Sequence, residues 1–192
     1  MMRAFWLAGA ALLLASGAQA ADPAQLDCMA NSYTVEQTGQ IDALLPQIDM
    51  LADGDSPAME GLGMLAGTAV ISCAATHQWD EADFEPAIFF EVGRLMEQAI
   101  RRHGPLTRDE VTKVDAALAK GDRSSLWTAL EEQVALGVAG ETDEVSSRNA
   151  MLFGAFMLEL GIGMDEAKAE QVGALLGTLA MQRASRRIFA EQ

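Results

Sequence analysis

Residues 61–79, GLGMLAGTAVISCAATHQW, contain no aspartate, glutamate, lysine or arginine. At 1.5 Å per residue, an uncharged helix of this length is just long enough to cross a bilayer. Its apolar residues are diluted by glycines and by Ser72, His77 and Gln78, however, and the residues that flank it, Glu60 and Asp80, are acidic rather than basic. The segment is therefore predicted to be a central core helix rather than a membrane span, with its small residues allowing neighbouring helices to approach closely. The stripe predicted to face inward consists of Leu62, Leu65, Ala69, Cys73 and Thr76.

The first twenty residues have the layout of a secretory signal peptide. Arg3 precedes an apolar stretch over residues 4–15, and Ala18-Gln19-Ala20 supplies the small residues that signal peptidase requires. We expect cleavage after Ala20. The sequence thus predicts a periplasmic or secreted protein, with a single domain over residues 21–192.

The charge balance limits the classes of partner. The 192-residue chain has a formal net charge of −15, and loss of Arg3 leaves 12 basic against 28 acidic residues, a net of −16. Such a charge opposes binding to nucleic acid and to anionic membrane surfaces. We expect no nucleic-acid partner and no membrane span in the mature chain, while a protein partner in the bacterial envelope is compatible with this charge.

Two cysteines remain after cleavage, Cys28 and Cys73. An isolated pair in an oxidising compartment usually forms a disulfide. We predict that the bond joins the first helix to the uncharged segment and stabilises the fold by about 4 kcal/mol on the chain-entropy estimate.

Helical spacing of apolar residues recurs along the whole chain, which predicts an all-α fold, a single bundle of about seven or eight helices. The first helix is expected from Asp22-Pro23 to about Gln37, with Gly39 ending it. Later boundaries are predicted by the pairs Ser56-Pro57, Thr107 with Glu110, and Gly121-Asp122, and by the terminator His103-Gly104-Pro105.

Two helices in the middle of the chain show distinct faces. In the helix that begins at Asp80, Leu95, Ala99 and Ile100 are expected to face inward, while Glu91 and Arg94 are expected to face solvent. Inward positions are also predicted for valines in the second half of the chain, namely Val134, Val138 and Val145.

The pattern of chemical groups supports neither catalysis nor a cofactor. Cys73 and His77 have a spacing that can bind a metal, but two ligands do not make a site. There is no nucleophile elbow, no haem-attachment motif and no phosphate loop. We expect no catalytic residue, no metal and no cofactor.

Two features depart from an ordinary bundle. Arg183, Arg186 and Arg187 cluster on the last helix, either complementing the helix dipole or forming a basic docking patch. Asn149 lies on an apolar stripe, where it needs hydrogen-bond partners or lines a small cavity.

The function that this sequence predicts is therefore interaction: an exported, non-catalytic scaffold, accessory or chaperone-like protein. The alternative is a carrier of a small apolar ligand, with a pocket near Met64, Met151 and Asn149, and an enzyme is the third hypothesis. The sequence does not predict the oligomeric state.

Overall fold

A computed structural model describes residues 21–49, 56–140, 145–162 and 166–192. The predicted signal peptide, residues 1–20, and its cleavage site lie outside the described residues. Within the described ranges the fold is all-α, with eight α-helices and no strand. The helices are α1 (Met29–Ser32), α2 (Val35–Leu44), α3 (Pro57–His77), α4 (Glu81–His103), α5 (Arg108–Leu118), α6 (Ser124–Val138), α7 (Ser147–Leu160) and α8 (Glu166–Ala190). Two short 3-10 helices, Pro23–Cys28 and Leu45–Gln47, precede α1 and follow α2.

Side-chain caps set the starts of α3, α4 and α5, where the sequence predicts helix starts. Ser56 accepts the backbone N–H of Met59 at the start of α3. Capping boxes begin α4, at Asp80 with Asp83, and α5, at Thr107 with Glu110. These caps satisfy backbone N–H groups that have no partner inside the helix.

The predicted first helix is wrong, because the chain turns at Tyr33. The backbone of Tyr33 is extended, and Thr34 starts α2 by a reciprocal capping box with Gln37. Gly39, predicted to end the first helix, lies inside α2. The Thr34-x-x-Gln37 pattern is a capping-box signal that favours a new helix start over continuation.

Helices α4 and α8 form the antiparallel centre of the molecule. At mid-helix, a Cβ on Gly93 would lie 3.2 Å from the carbonyl oxygen of Thr178, so glycine permits the close approach of the two backbones. Just beyond the end of α4, Gly104 lies against Gln171, near the start of α8. Helix α6 packs on α8, α7 packs on α6 and α5, and side chains of all four helices share one apolar cluster. Helix α3 packs on α4 and on the N-terminal segments.

The predicted disulfide is present. Cys28 and Cys73 are joined with their Cα atoms 6.0 Å apart. Cys73 is fully buried in an apolar cluster that also contains Leu26, Trp79 and Phe189. The bond therefore connects the N-terminal segment to α3 beside the C-terminal end of α8.

Helix α3 is a half-exposed helix on the side of the bundle, not the central core helix predicted from its composition. Its buried face includes Leu62, Leu65, Ala69 and Cys73, but the fifth member of the predicted stripe, Thr76, is exposed. Gly63 and Gly67 have open space where a neighbouring helix was expected. By length and composition α3 is the one described helix that could cross a membrane. In its most apolar 18-residue stretch, 39% is buried inside the fold.

Candidate functional site

A large apolar depression lies between α4, α6 and α8. It consists of two adjacent cavities of about 530 and 490 Å³ that share Val134, Val138 and Met181. We call this continuous feature the α6 groove. Its lining residues, by helix, are Ala82, Glu85, Pro86, Phe89 and Met96 on α4; Glu131, Val134, Ala135, Gly137 and Val138, with Ala139, on α6; and Glu170, Ala174, Gly177, Thr178, Met181, Ala184, Ser185, Arg187 and Ile188, with Gln192, on α8 or just beyond it.

The α6 groove is open to solvent along its length. Val138 is 51% exposed and Ile188 is 41% exposed, although both are large aliphatic residues. The sequence predicts that Val138 faces the core, and that expectation is wrong, because Val138 lies at the solvent-exposed wall of this groove. Between Glu170 and Ile188 the floor runs along α8 for about 27 Å, or five helical turns.

Two carboxylates at the ends of the α6 groove have no ionic partner among the described residues. Glu85 lies near the end formed by Ile188, and Glu170 lies at the opposite end, beside Ala174. Both are exposed and neither forms an ion pair with any described residue. The third acidic side chain of the groove, Glu131, is already paired.

The arginine cluster of α8 is occupied by contacts within the fold. Arg183 Nε donates to Glu131 Oε1 at 3.0 Å, and a terminal nitrogen of Arg187 donates to Glu131 Oε2 at 3.3 Å. Arg183 also stacks over the ring of Trp127, at 5.4 Å from its centroid. Both arginines thus attach α8 to α6.

Arg186 attaches α8 to the N-terminal segment instead. Its two terminal nitrogens donate to the carbonyl oxygen of Pro23 and to Asp27 Oδ1, each at 3.0 Å, and the guanidinium lies 4.7 Å from the centre of the Phe90 ring. Neither the helix-dipole explanation nor the docking-patch hypothesis includes these ion pairs, because the acidic partners lie far from the arginines in the sequence. Exposed faces remain on all three arginines, so the docking patch stays a prediction.

A fully buried carboxylate, that of Glu91, lies in the core. Glu91 accepts a hydrogen bond from the Tyr33 hydroxyl at 2.6 Å and one from Arg94 Nε at 2.8 Å, with a further bond from an Arg94 terminal nitrogen. Burial, and then the charge and hydrogen bond of Glu91, raise the pKa of Tyr33 far above its usual value. The sequence places Glu91 and Arg94 on the solvent face, and for Glu91 that is wrong. Its neighbours at i−4 and i+4, Ala87 and Leu95, are themselves buried.

The predicted ligand pocket is not assembled from the three residues chosen for it. Asn149 is buried, but it donates to Glu132 Oε2 at 3.1 Å and so links α7 to α6. Met64 and Met151 are exposed, on α3 and on α7. These helices pack on different neighbours, α3 on α4 and α7 on α6 and α5.

A second depression, of about 400 Å³, is polar. It lies between the N-terminal segment and the junction of α3 with α4, and its wall includes Ala21, Asp22, His77, Asp80 and Asp83. His77 is exposed and stacks on Trp79, with ring centres 6.1 Å apart. Since the Cys73 sulfur is in the disulfide, it is no thiolate partner for His77 in a metal site. No group of three potential metal-ligating side chains occurs within the described residues.

Comparison with known proteins gives no relative. No protein-family model matches the chain, and neither the curated proteins nor the solved structures contain a significant match.

Proposed function

We propose that the chain is an exported, non-catalytic bundle protein that acts through protein–protein interaction, and that the α6 groove binds an amphipathic helix of its partner. The observation that carries this proposal is an open apolar groove about five turns long on a strongly acidic protein. A helix that lays its apolar face into such a groove is a common mode of peptide recognition.

The shape of the groove favours a helix as its occupant. Its floor is a stripe of mostly small and apolar side chains on α8, between α4 on one side and α6 on the other. Val138 and Ile188, which would be costly to leave in water, lie at its surface. A partner helix would bury both side chains and remove them from solvent, which is the main source of binding free energy.

The charges of the groove favour a basic partner. Glu85 and Glu170, at its two ends, form no ion pair within the described part of the chain, and the whole chain carries a net charge of −15. Lysine or arginine at both ends of the partner helix would complement these carboxylates and accelerate association. Because the cluster on α8 is paired with Glu131 and Asp27, it adds little net positive charge near the groove.

A synthetic peptide tests this assignment. The probe is a helix of about 18 residues, roughly the groove length at 1.5 Å per residue, with leucine and alanine on one face and lysines at both ends. A matched peptide carries glutamates at the ends. We expect the lysine peptide to bind, and Val138→Glu to weaken that binding by at least about tenfold, equivalent to 1.4 kcal/mol.

The control variant is Val35→Glu. Val35 is 93% exposed on α2, away from the groove, so the same substitution adds the same charge without touching the binding surface. Equal effects of the two substitutions, or equal binding of both peptides, would refute the proposal. If neither peptide binds, but a fluorescent fatty acid binds and Val138→Glu weakens its binding, the result would favour the carrier hypothesis instead.

A further inference from the structure

The polar cavity between the N-terminal segment and α4 contains an unsatisfied buried carboxylate. Asp83 is 5% exposed, and its Oδ2 accepts the backbone N–H of Asp80 at 2.9 Å. Its Oδ1 is the one buried side-chain nitrogen or oxygen, among the residues that the structure describes, that has no hydrogen-bond partner. Leaving such an atom without a donor is unfavourable, and each instance in a folded protein calls for a ligand or another explanation.

The surroundings of Asp83 favour a cation. Asp22 and Asp80 line the same cavity, and each uses one carboxylate oxygen to cap a helix, accepting from Ala24 and Ala82 respectively. The single basic side chain of the wall is His77. Three carboxylates against one imidazole create a negative cavity that suits a group with several N–H donors.

Ala21 forms part of the same wall and is partly buried against the neighbouring apolar cluster. Signal peptidase would hydrolyse the Ala20–Ala21 peptide bond with one water, leaving a carboxylate on Ala20 and an ammonium group on Ala21. We propose that this cavity binds the α-ammonium group of Ala21 and that Asp83 Oδ1 is its carboxylate partner. The proposal rests on the export and cleavage that form part of the proposed function.

The consequence is that processing completes the fold. Before cleavage the nitrogen of Ala21 is an amide with one N–H and no charge, whereas afterwards it has three donors and a positive charge. The new end of the chain is then fixed beside the Cys28–Cys73 bond, because Ala21 and Cys28 pack against the same apolar cluster. The precursor keeps Asp83 unsatisfied and is the less stable form.

The test measures the reactivity of one amine. The full chain is expressed with its own leader in a secreting bacterial host, and the mass of the recovered protein identifies its first residue. Trace acetylation at neutral pH, followed by peptide mass spectrometry, then gives the labelling rate of the α-amine. The three lysines, Lys113, Lys120 and Lys168, serve as internal references.

We expect the α-amine of the folded protein to react at least about tenfold more slowly than in Asp83→Asn, since each unit of amine pKa changes the reactive fraction tenfold. Asparagine keeps the oxygen that caps Asp80, so the helix start is retained. Glu81→Gln, at an exposed position of the same first turn of α4, should react like the unsubstituted protein. The rate in urea provides a second comparison that does not depend on the variant folding.

Two results would overturn the proposal, and they have different meanings. A mature protein that begins at Ala21 but whose α-amine reacts as fast when folded as in urea, or as fast as in Asp83→Asn, removes the cavity proposal alone. A protein that begins at another residue removes the proposed cleavage as well, and the cavity proposal with it. Neither result bears on peptide binding in the α6 groove.

Discussion

Replacing Arg94 with methionine tests whether the buried carboxylate of Glu91 depends on its ion pair. Methionine is unbranched and apolar, like the aliphatic stem of arginine, but it has no charge. The substitution therefore leaves Glu91 without a cation in the interior. Breaking a buried pair in this way costs about 3–5 kcal/mol, because a desolvated charge remains. Tyr33→Phe removes only the 2.6 Å hydrogen bond, and since Arg94 still binds Glu91, the loss should lie near the lower end of about 1.5–3 kcal/mol.

Urea unfolding followed by circular dichroism measures both losses. The control is Arg102→Met on the same helix, since the ion pair of Arg102 with Asp42 is more than half exposed on both sides and should contribute less than about 1 kcal/mol. If Arg94→Met destabilises the protein no more than Arg102→Met does, the buried pair is not what stabilises this part of the core.

Alkaline titration tests the same contact without a substitution. Tyr33 is the only tyrosine in the chain, so the absorbance of its phenolate is unambiguous. Burial and Glu91 raise the pKa of folded Tyr33, whereas the unfolded chain ionises near pH 10. The resulting stabilisation is complete below about pH 10 and is lost as the pH rises above it. Phenolate should therefore appear only together with loss of helix, and phenolate at about pH 10 with intact helix would contradict the assignment.

Three further predictions concern the bundle. Replacing both Cys28 and Cys73 with serine, 45 residues apart, should lower the free energy of unfolding by about 4 kcal/mol in urea, and an unchanged midpoint on reduction would contradict this. Gly104→Ala should destabilise by about 1–3 kcal/mol, because the new Cβ would lie 2.6 Å from a backbone carbonyl oxygen; wild-type stability would show that the chain relaxes there. Hydrogen bonds from Lys168 and from the backbone and hydroxyl of Thr107 lower the pKa of Glu110 to about 2, so an NMR titration should find this carboxyl ionised at pH values where others are protonated, and Lys168→Met should raise its pKa.

The sequence predicts the local structure well because local structure depends on neighbours in the chain. The all-α class, the caps at Ser56 and Thr107 and the end of α4 at Gly104 follow from short patterns. The disulfide follows from the cysteine count and from the inward position of Cys73. The predicted boundary of the first helix is wrong because the Thr34-x-x-Gln37 capping box, which is also a local signal, starts a new helix there.

The candidate sites depend on tertiary contacts that periodicity does not contain. The partners of Glu91 include Tyr33, 58 residues away, and Arg186 contacts Asp27 across 159 residues. Helical spacing alone places Val138 toward the core, but it does not reveal that an open groove lies beside this end of α6. Composition likewise predicts a central position for the uncharged helix, while the centre belongs to α4 with α8.

Photo-crosslinking in intact cells that express the protein tests the central claim most directly. A photoreactive residue is placed at position 138, in the α6 groove, or at position 35, which is more exposed than position 138 but lies on α2. We predict a protein adduct at position 138 whose crosslinked peptide is an amphipathic helix with basic ends, and no such adduct at position 35. A lipid adduct at position 138, no adduct there, or the same protein at both positions would contradict the account.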